Sequence, residues 1–138
     1  MIARTAILAL LLFPAVTLAA APPDVLDFVS SIAGDLANDA FKSFIGHFDA
    51  TMPGYAVLKD DAESLLGNKE VESEIEVIAD SGDQENHALE LDWVLITRDK
   101  NALKGETVTR RFVVKCSLKR DRKTWKVVAF DPIRLFKL

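Results

Sequence analysis

Cysteine is almost absent from this chain of 138 residues, which contains Cys116 and no other. A single cysteine excludes an internal disulfide and a zinc site built from cysteines. Glycine and proline are also scarce, with 6 and 5 copies, so the chain is neither collagen-like nor a linker. The chain has 2 histidines and no second ligand at metal-binding spacing. We therefore expect no metal and no cofactor.

Positive charge is in the minority, because 17 lysines and arginines stand against 21 aspartates and glutamates, a net charge of −4. The field of an acidic protein does not favour nucleic acid or anionic lipid as partners. What the chain does contain is 49% hydrophobic and 28% charged residues, which is typical of a globular protein. Its length fits one domain, for which about 100–200 residues is usual.

The first 19 residues have the three parts of a secretory signal peptide. A positive start at Arg4 precedes the apolar run Ala6–Leu12. Small residues follow, with Thr17 and Ala19 at the −3 and −1 positions of a cleavage site. The sequence therefore predicts a signal peptide at residues 1–19 and export to the periplasm or the extracellular space.

A membrane anchor is the alternative interpretation of this segment. The apolar stretch from Thr5 to Ala21 has only 17 residues, whereas a helix that spans a membrane needs about 20. We therefore expect no stable membrane insertion once the signal peptide is cleaved. The remaining chain is predicted to fold as one domain over residues 24–138.

Helical periodicity covers the first part of this domain. From Asp24 to Phe48, apolar residues recur at helical spacing and predict one long amphipathic helix. Its apolar stripe is predicted to contain Leu26, Val29, Ala33, Leu36, Ala37, Ala40, Phe41, Phe44 and Phe48. After the turn signal Pro53–Gly54, the segment Tyr55–Leu66 indicates a second, shorter helix.

Beyond Asn68, the apolar period changes to that of β-strands. Four strands are predicted, at Glu70–Asp80, His87–Arg98, Glu106–Lys119 and Thr124–Asp131. Because the connections between them are short, the strands should form an antiparallel meander. Helices that precede and cover such a sheet define an α+β fold.

A choice of register assigns the strand residues to two faces. If Trp93 lies opposite Phe112 and Leu118 lies opposite Trp125, the paired residues of one face are all apolar. The predicted inner face contains Leu89, Leu91, Trp93, Leu95, Phe112, Val114, Cys116, Leu118, Trp125, Val127 and Ala129. The outer face carries charges and an apolar patch made of Val94, Ile96, Val113, Val128 and Phe130.

A bare apolar patch is unusual on a soluble monomer. One explanation is that two copies of the chain form a homodimer through this outer face. The other is that the segment Pro132–Leu138, with its apolar residues, covers the patch.

Several motifs point to a known family. They are the helix end Phe41–Asp49, the break Met52–Tyr55, the strand motif Glu90–Trp93 and the closing Thr124–Val128 followed by Asp131–Pro132. Together they resemble the nuclear transport factor 2-like superfamily, which includes SnoaL-like and ketosteroid-isomerase-like domains. The resemblance implies a cone, also described as a cystatin-like α+β roll. In this fold, helices pack in the concave face of a curved antiparallel sheet and a pocket lies inside.

Members of this superfamily include isomerases, cyclases, dehydratases, transport factors and binding modules, so the fold alone does not select a function. Many members also dimerise through the outer face of the sheet. That property agrees with the apolar patch predicted from the strands.

The resemblance turns the inner aromatic residues into candidate ligand contacts. These candidates are Phe41, Phe44, His47, Phe48, Trp93, Arg110, Phe112 and Trp125. An aromatic interior with few convergent charges favours a non-catalytic module that binds a small hydrophobic molecule. Arg110 lies near the open end of the sheet, where it either holds a ligand carboxylate or extends its head into water. For the tryptophans, simple core packing is the alternative.

An enzyme is the second hypothesis, with His47, Asp49 and Tyr55 as catalytic candidates for general acid–base chemistry on a small substrate. Ketosteroid-isomerase-like catalysis needs a carboxylate base inside the cavity and an oxyanion site opposite it. Glu90 and Asp92 have outward parity, so these residues do not complete such a site. Whether the chain is an enzyme stays open.

An interaction protein is the third hypothesis, with a filled cone and partners on the outer face. Two further residues are interpreted as structural. His87 begins a strand after an acidic turn, so it is expected to be exposed to solvent. Cys116 lies on the apolar inner face and is expected to be a buried, unreactive thiol.

Overall fold

A computed structural model describes residues 21–101 and 105–138, and the predicted signal peptide lies outside them. The described elements are α1 (Pro23–Ala37), α2 (Phe41–Ile45), α3 (Tyr55–Asn68), β1 (Lys69–Gly82), β2 (Asn86–Asp99), β3 (Val108–Asp121) and β4 (Thr124–Asp131). The strands form one antiparallel sheet in the order β1-β2-β3-β4. The predicted α+β architecture and the meander are confirmed. Within these two ranges, none of the helices combines the length and the hydropathy of a membrane-spanning segment.

The single helix predicted over Asp24–Phe48 is wrong, because the chain forms two helices there. Asp39 takes a left-handed backbone with φ of 57° between α1 and α2. The buried face of α1 consists of Val25, Phe28, Val29, Ile32 and Leu36. Leu26, which the predicted stripe included, is 42% exposed. The prediction assumed one continuous helix, so its apolar stripe had to run through the phenylalanines of α2. The buried face of α1 has a different orientation around the helix axis, and the predicted stripe therefore includes the wrong residues of α1.

The predicted register between β2 and β3 is confirmed. Trp93 lies opposite Phe112, and Leu91 lies opposite Val114. The same side of β2 carries the buried leucines of the core. Packing against the helices therefore fixes this pair of strands, as alternation of apolar and polar residues predicts.

Between β3 and β4 the register differs from the prediction. Val127, rather than Trp125, lies opposite Leu118. A bulge follows, and beyond it Phe130 is buried while Ala129 is exposed. A bulge inserts one extra residue, so it exchanges the two faces for the rest of the strand. The assignment of Ala129 to the inner face and of Phe130 to the outer patch is wrong for this reason.

The segment Pro132–Leu138, called the tail below, packs into the concave side of the sheet. Leu135 is buried, and Phe136 has no exposed surface. Its ring lies 5.2, 5.7 and 5.9 Å from the rings of Phe44, Trp93 and Phe130. The alternative that the tail covers the outer patch is wrong, because the aromatic interior removes these two side chains from water completely.

A glycine permits the close approach between the tail and the loop before α3. Gly54 has a φ of 80°, in the left-handed region. A Cβ at this position would stand 2.6 Å from Cγ1 of Ile133 in the tail. The sharp turn and the docking of the tail thus both require a residue without a side chain.

Gly54→Ala is expected to lower the free energy of unfolding by about 1–3 kcal/mol, through backbone strain and overpacking. Gly34→Ala is the matched control, because a Cβ there meets nothing within 4 Å inside α1. The control should be neutral or more stable by up to about 1 kcal/mol. Urea unfolding of both variants measures the difference, and equal stability of the Gly54 variant and the original chain would contradict the contact.

Phe130→Ala should lower the free energy of unfolding by about 3–5 kcal/mol, because it leaves a cavity among aromatic rings. Ala129→Ser, one residue away on the exposed side, should change it by less than about 0.5 kcal/mol. Chemical unfolding of the two variants tests the bulge. A larger loss at Ala129 than at Phe130 would instead support the register that the sequence predicts.

Candidate functional site

The concave face of the sheet is apolar at its centre and charged at its ends. Along β2 and β3, the central positions are leucine, valine, cysteine and aromatic residues that form the core. His87 and Arg120 stand at one end of this face, and Arg110 stands at the other. A site with an apolar body and few polar groups is the usual form of a small-molecule pocket.

Trp93 lies in the middle of this face and is completely buried. Its ring meets Phe130 and Phe136 edge to face, with 5.7 Å between centroids in both pairs. The indole Nε1–H has no hydrogen-bond partner among the described residues. Buried tryptophans normally place this group against an acceptor, so a buried indole N–H without a hydrogen-bond partner is unusual.

Ser73 is the second residue with an unpartnered buried atom. Its Oγ is buried, and no described residue forms a hydrogen bond with it. Ser73 lies opposite Leu95, and the next inner pair along the same two strands joins Ile75 to Trp93. The two unpartnered atoms therefore belong to diagonal neighbours on the same concave face.

Arg110 stands on the other side of Leu95, as its parity predicts. Its Nη1 donates to the backbone oxygen of Lys137 in the tail, at 3.1 Å. Its Cζ lies 5.7 Å from the centre of the Phe112 ring. Arg110, Leu95 and Ser73 thus form one row across three strands, with Trp93 in the adjacent row.

A cavity of about 420 Å³ opens beside Arg110 at this end of the sheet. Its walls include Leu65 of α3, Thr97 of β2, Val108 of β3 and Leu138 of the tail. Pockets for small molecules usually measure roughly 300–1,000 Å³, so this space is large enough for one.

The three predicted catalytic residues do not meet at this site. His47 Nε2 lies 2.8 Å from Asp35 Oδ2, and Ser43 Oγ donates to the same oxygen at 2.7 Å. The imidazole also packs edge-on against Phe28 at 5.2 Å. Because the serine bonds to the carboxylate and not to the imidazole, this trio lacks the order of a hydrolytic triad.

Asp49 is engaged within its own loop. Its Oδ1 accepts hydrogen bonds from the Thr51 hydroxyl at 2.6 Å and from the Thr51 amide at 2.8 Å. These bonds hold the pKa of Asp49 below its usual value, which makes the carboxylate a weaker base. With Tyr55, it lines an open groove of about 520 Å³ beside β4, and Trp93 is not among the residues of that groove.

His87 is buried, which corrects the expectation that it is exposed. Its Nδ1 lies 2.7 Å from Asp80 Oδ1, and both side chains are 7% exposed. The side of β2 that carries the buried leucines also carries His87, so parity could have located it. Asp80 lies on the inner face because a bulge follows Val77 and exchanges the two faces of β1. Alternation of apolar and polar residues does not predict such a bulge.

Trp125 closes the same end of the concave face and is fully partnered. Its Nε1 donates to Asp24 Oδ2 at 3.1 Å, and its ring lies 4.0 Å from the guanidinium carbon of Arg120. Desolvation raises the pKa of Asp24, but hydrogen bonds from Trp125 and Arg120 outweigh it and lower this pKa overall. These contacts tie Trp125 to α1, in contrast to the free N–H of Trp93.

The remaining candidates have simpler surroundings. Phe44 and Phe48 are buried with Trp93, whereas Phe41 and Phe112 are partly exposed at the margin of the core. Burial raises the pKa of the Cys116 thiol to about 12, so this thiol is a poor nucleophile. Residues 21–101 and 105–138 contain no group of three or more side chains arranged to hold a metal ion.

No protein-family model matches the sequence, and no curated protein matches it either. Solved structures do match its fold. A candidate dehydratase of the nuclear transport factor 2-like family from Streptomyces avermitilis aligns with a TM-score of 0.63 and 11% identity, over 78% of this chain and 91% of that one.

A candidate scytalone dehydratase from Novosphingobium aromaticivorans gives a TM-score of 0.64 at 9% identity, over 78% of both chains. A candidate calcium/calmodulin-dependent protein kinase II association domain from Xanthomonas campestris gives 0.62 at 12%, over 80% of this chain and 89% of that one. Identities this low establish a shared architecture and not a shared activity. With its helices on a curved four-stranded antiparallel sheet, the chain has the fold of the nuclear transport factor 2-like superfamily.

Proposed function

We propose that this chain is an exported, non-catalytic module that binds a small hydrophobic molecule carrying a hydrogen-bond acceptor on the concave face of its sheet. The observation that carries the proposal is the pair of buried, unpartnered atoms, Trp93 Nε1 and Ser73 Oγ. Buried polar atoms are nearly always hydrogen-bonded, and unpaired ones call for an explanation. A ligand that supplies an acceptor provides one.

The placement of the two atoms supports a shared acceptor. Ser73 and Trp93 are diagonal neighbours on adjacent strands, on the same face. Diagonal neighbours in a sheet lie roughly 7–8 Å apart, a distance that an aromatic side chain can span. Both groups are donors, so one carbonyl or carboxylate between them can accept from each.

A non-catalytic role agrees with the surroundings of Trp93. Its neighbours on the sheet are Leu91, Leu95, Ile75 and Phe112, none of which is an acid or a base. General acid–base catalysis needs a group within roughly 2.6–3.2 Å of the proton that moves. The predicted candidates His47 and Asp49 are instead held by other side chains outside this part of the face.

The binding proposal is tested with the mature chain, residues 20–138, and the aromatic probe 1-anilinonaphthalene-8-sulfonate. Trp93→Phe removes the free N–H and should weaken binding about tenfold, the value of one hydrogen bond to a charged acceptor. Trp125→Phe is the matched control, because its N–H is already bonded to Asp24. Isothermal titration calorimetry measures both affinities.

Ser73→Ala separates a binding role from a structural one. It should weaken probe binding and leave the free energy of unfolding unchanged or slightly higher, because it removes an unpartnered buried hydroxyl. If the Ser73→Ala variant, the Trp93→Phe variant and the original chain bind the probe with equal affinity, the proposal is refuted.

Self-association through the outer face is a second candidate function, favoured by the distribution of charge on that face. Acidic side chains predominate on β1 and β2 and basic ones on β3 and β4, with Arg98 and Asp131 as exceptions. The predominant charges are Glu72, Glu74, Glu76, Glu90 and Asp92 on one half, and Arg111, Lys115, Lys119 and Lys126 on the other. Val113, 59% exposed, stands among the partly exposed Val94, Ile96 and Val128 between the two halves.

This pattern selects one arrangement of two copies. A twofold axis parallel to the strands places β1 of one copy over β4 of its partner, so acidic residues meet basic ones. An axis perpendicular to the strands places like charges against each other. The first arrangement also buries both apolar patches.

Val113→Glu is expected to abolish dimer formation, because it places a charge in the apolar centre of the contact. Val57→Glu on α3 is the control, since Val57 is a valine of similar exposure, 40%, far from the outer face. Sedimentation velocity should show a dimer for the original chain and for the control, weakened by high salt. A monomer at every concentration would contradict this assembly.

A further inference from the structure

We infer that the tail is a resident occupant of the concave site, and that the molecule which displaces it is an aromatic carboxylate. This inference rests on the binding function proposed above and specifies its ligand. Its starting point is the way in which the tail contacts the rest of the protein.

The tail is held in the manner of a bound molecule. Its own backbone hydrogen bonds are local, from Leu135 to Pro132 and from Lys137 to Arg134. Within the described residues, its hydrogen bonds to the rest of the protein all involve side chains. Arg110 Nη1 donates to the Lys137 carbonyl at 3.1 Å, and Arg134 binds both oxygens of Asp61, at 2.7 and 3.2 Å.

The aromatic part of the tail occupies the centre of the site. Phe136 stacks on Phe130 with an interplanar angle of 18° and meets Trp93 at 73°. A ligand that carries a phenyl ring can replace these contacts in kind, because ring stacking and edge-to-face packing depend on the ring alone.

The tail nevertheless leaves the charge of Arg110 unmatched. Among the described contacts of the tail, Arg110 donates only to the neutral carbonyl oxygen of Lys137. A guanidinium binds a carboxylate more strongly, through charge and two parallel hydrogen bonds. A carboxylate ligand therefore has an advantage that the tail lacks.

The covalent structure of the tail indicates the length of this ligand. About five chain atoms separate the Phe136 ring from the Lys137 carbonyl that Arg110 binds. The carboxylate 6-phenylhexanoate has the same number of atoms between its ring and its carboxyl group. The cavity of about 420 Å³ beside Arg110 provides space for the head group.

The test uses the mature chain with 4-fluorophenylalanine incorporated at position 136. Addition of 6-phenylhexanoate should shift the ¹⁹F resonance of this ring, because the ring leaves the site. Phenylacetate, with a short spacer, and 6-phenylhexan-1-ol, without a charge, should each bind at least tenfold more weakly. Arg110→Gln should remove the preference for the carboxylate over the alcohol.

A second variant tests displacement without disturbing the core. Arg134→Gln breaks the pair with Asp61, in which the Arg134 side chain is 51% exposed and that of Asp61 is 13% exposed, and it should tighten 6-phenylhexanoate several-fold, because the tail then competes less well. Arg98→Gln is the matched control, since it breaks an exposed pair with Glu70 that does not touch the tail. Its affinity should equal that of the original chain.

The outcomes separate this inference from the binding function. If the sulfonate probe binds through Trp93 but the ¹⁹F resonance stays fixed and Arg134→Gln has no effect, the tail is a permanent part of the core and the inference fails alone. If the alcohol binds as tightly as the carboxylate, the ligand class is wrong. If neither the probe nor the carboxylates bind any variant, both proposals fall.

Discussion

The contact between Phe136 and the aromatic interior determines the character of this molecule. Through it, the tail, α2, β2 and β4 share a single cluster, with Phe44, Trp93 and Phe130 around one ring. Without that ring, the concave side of the sheet would be an open aromatic hollow. With it, the same surface is a packed core, and a cavity of about 420 Å³ lies at its end near Arg110.

The two tryptophans differ in the hydrogen bonding of the indole N–H. Both lie on the concave face and both are buried. Trp125 donates to Asp24 and supports Arg120, so each of its groups has a structural partner. Trp93 has only rings and aliphatic side chains around it, and its N–H is available. Both tryptophans are at most 2% exposed, and they differ in whether the indole N–H has a hydrogen-bond partner.

Alternation along β2 and β3 was sufficient to predict the pairing of Trp93 with Phe112 and the inward direction of Arg110, because this register pairs apolar residues with apolar residues along the inner face. The break at Asp39 and the bulge before Phe130 were not predictable, since each depends on one residue of irregular backbone. The direction of the tail was also ambiguous, because both faces of the sheet offered it apolar contacts.

The polar groups of the candidate site could not be predicted from the sequence, for a different reason. In the sequence, Ser73 is one polar residue between the inner apolar residues Val71 and Ile75 of β1, and this pattern does not mark it as a binding residue. Only the coordinates of its neighbours reveal that its hydroxyl has no partner. His87 was within reach of the parity argument, whereas Asp80 required knowledge of a bulge in β1.

The position of Leu135 and Phe136 after the whole sheet has a consequence for the order in which the chain folds. Up to Asp131, the polypeptide contains every strand, yet its hydrophobic interior still lacks two side chains that the finished fold buries completely. Contacts between segments this far apart in sequence form late, because the loop that joins them must first close. The ring contacts of Phe136 therefore form after the strands that surround it have paired.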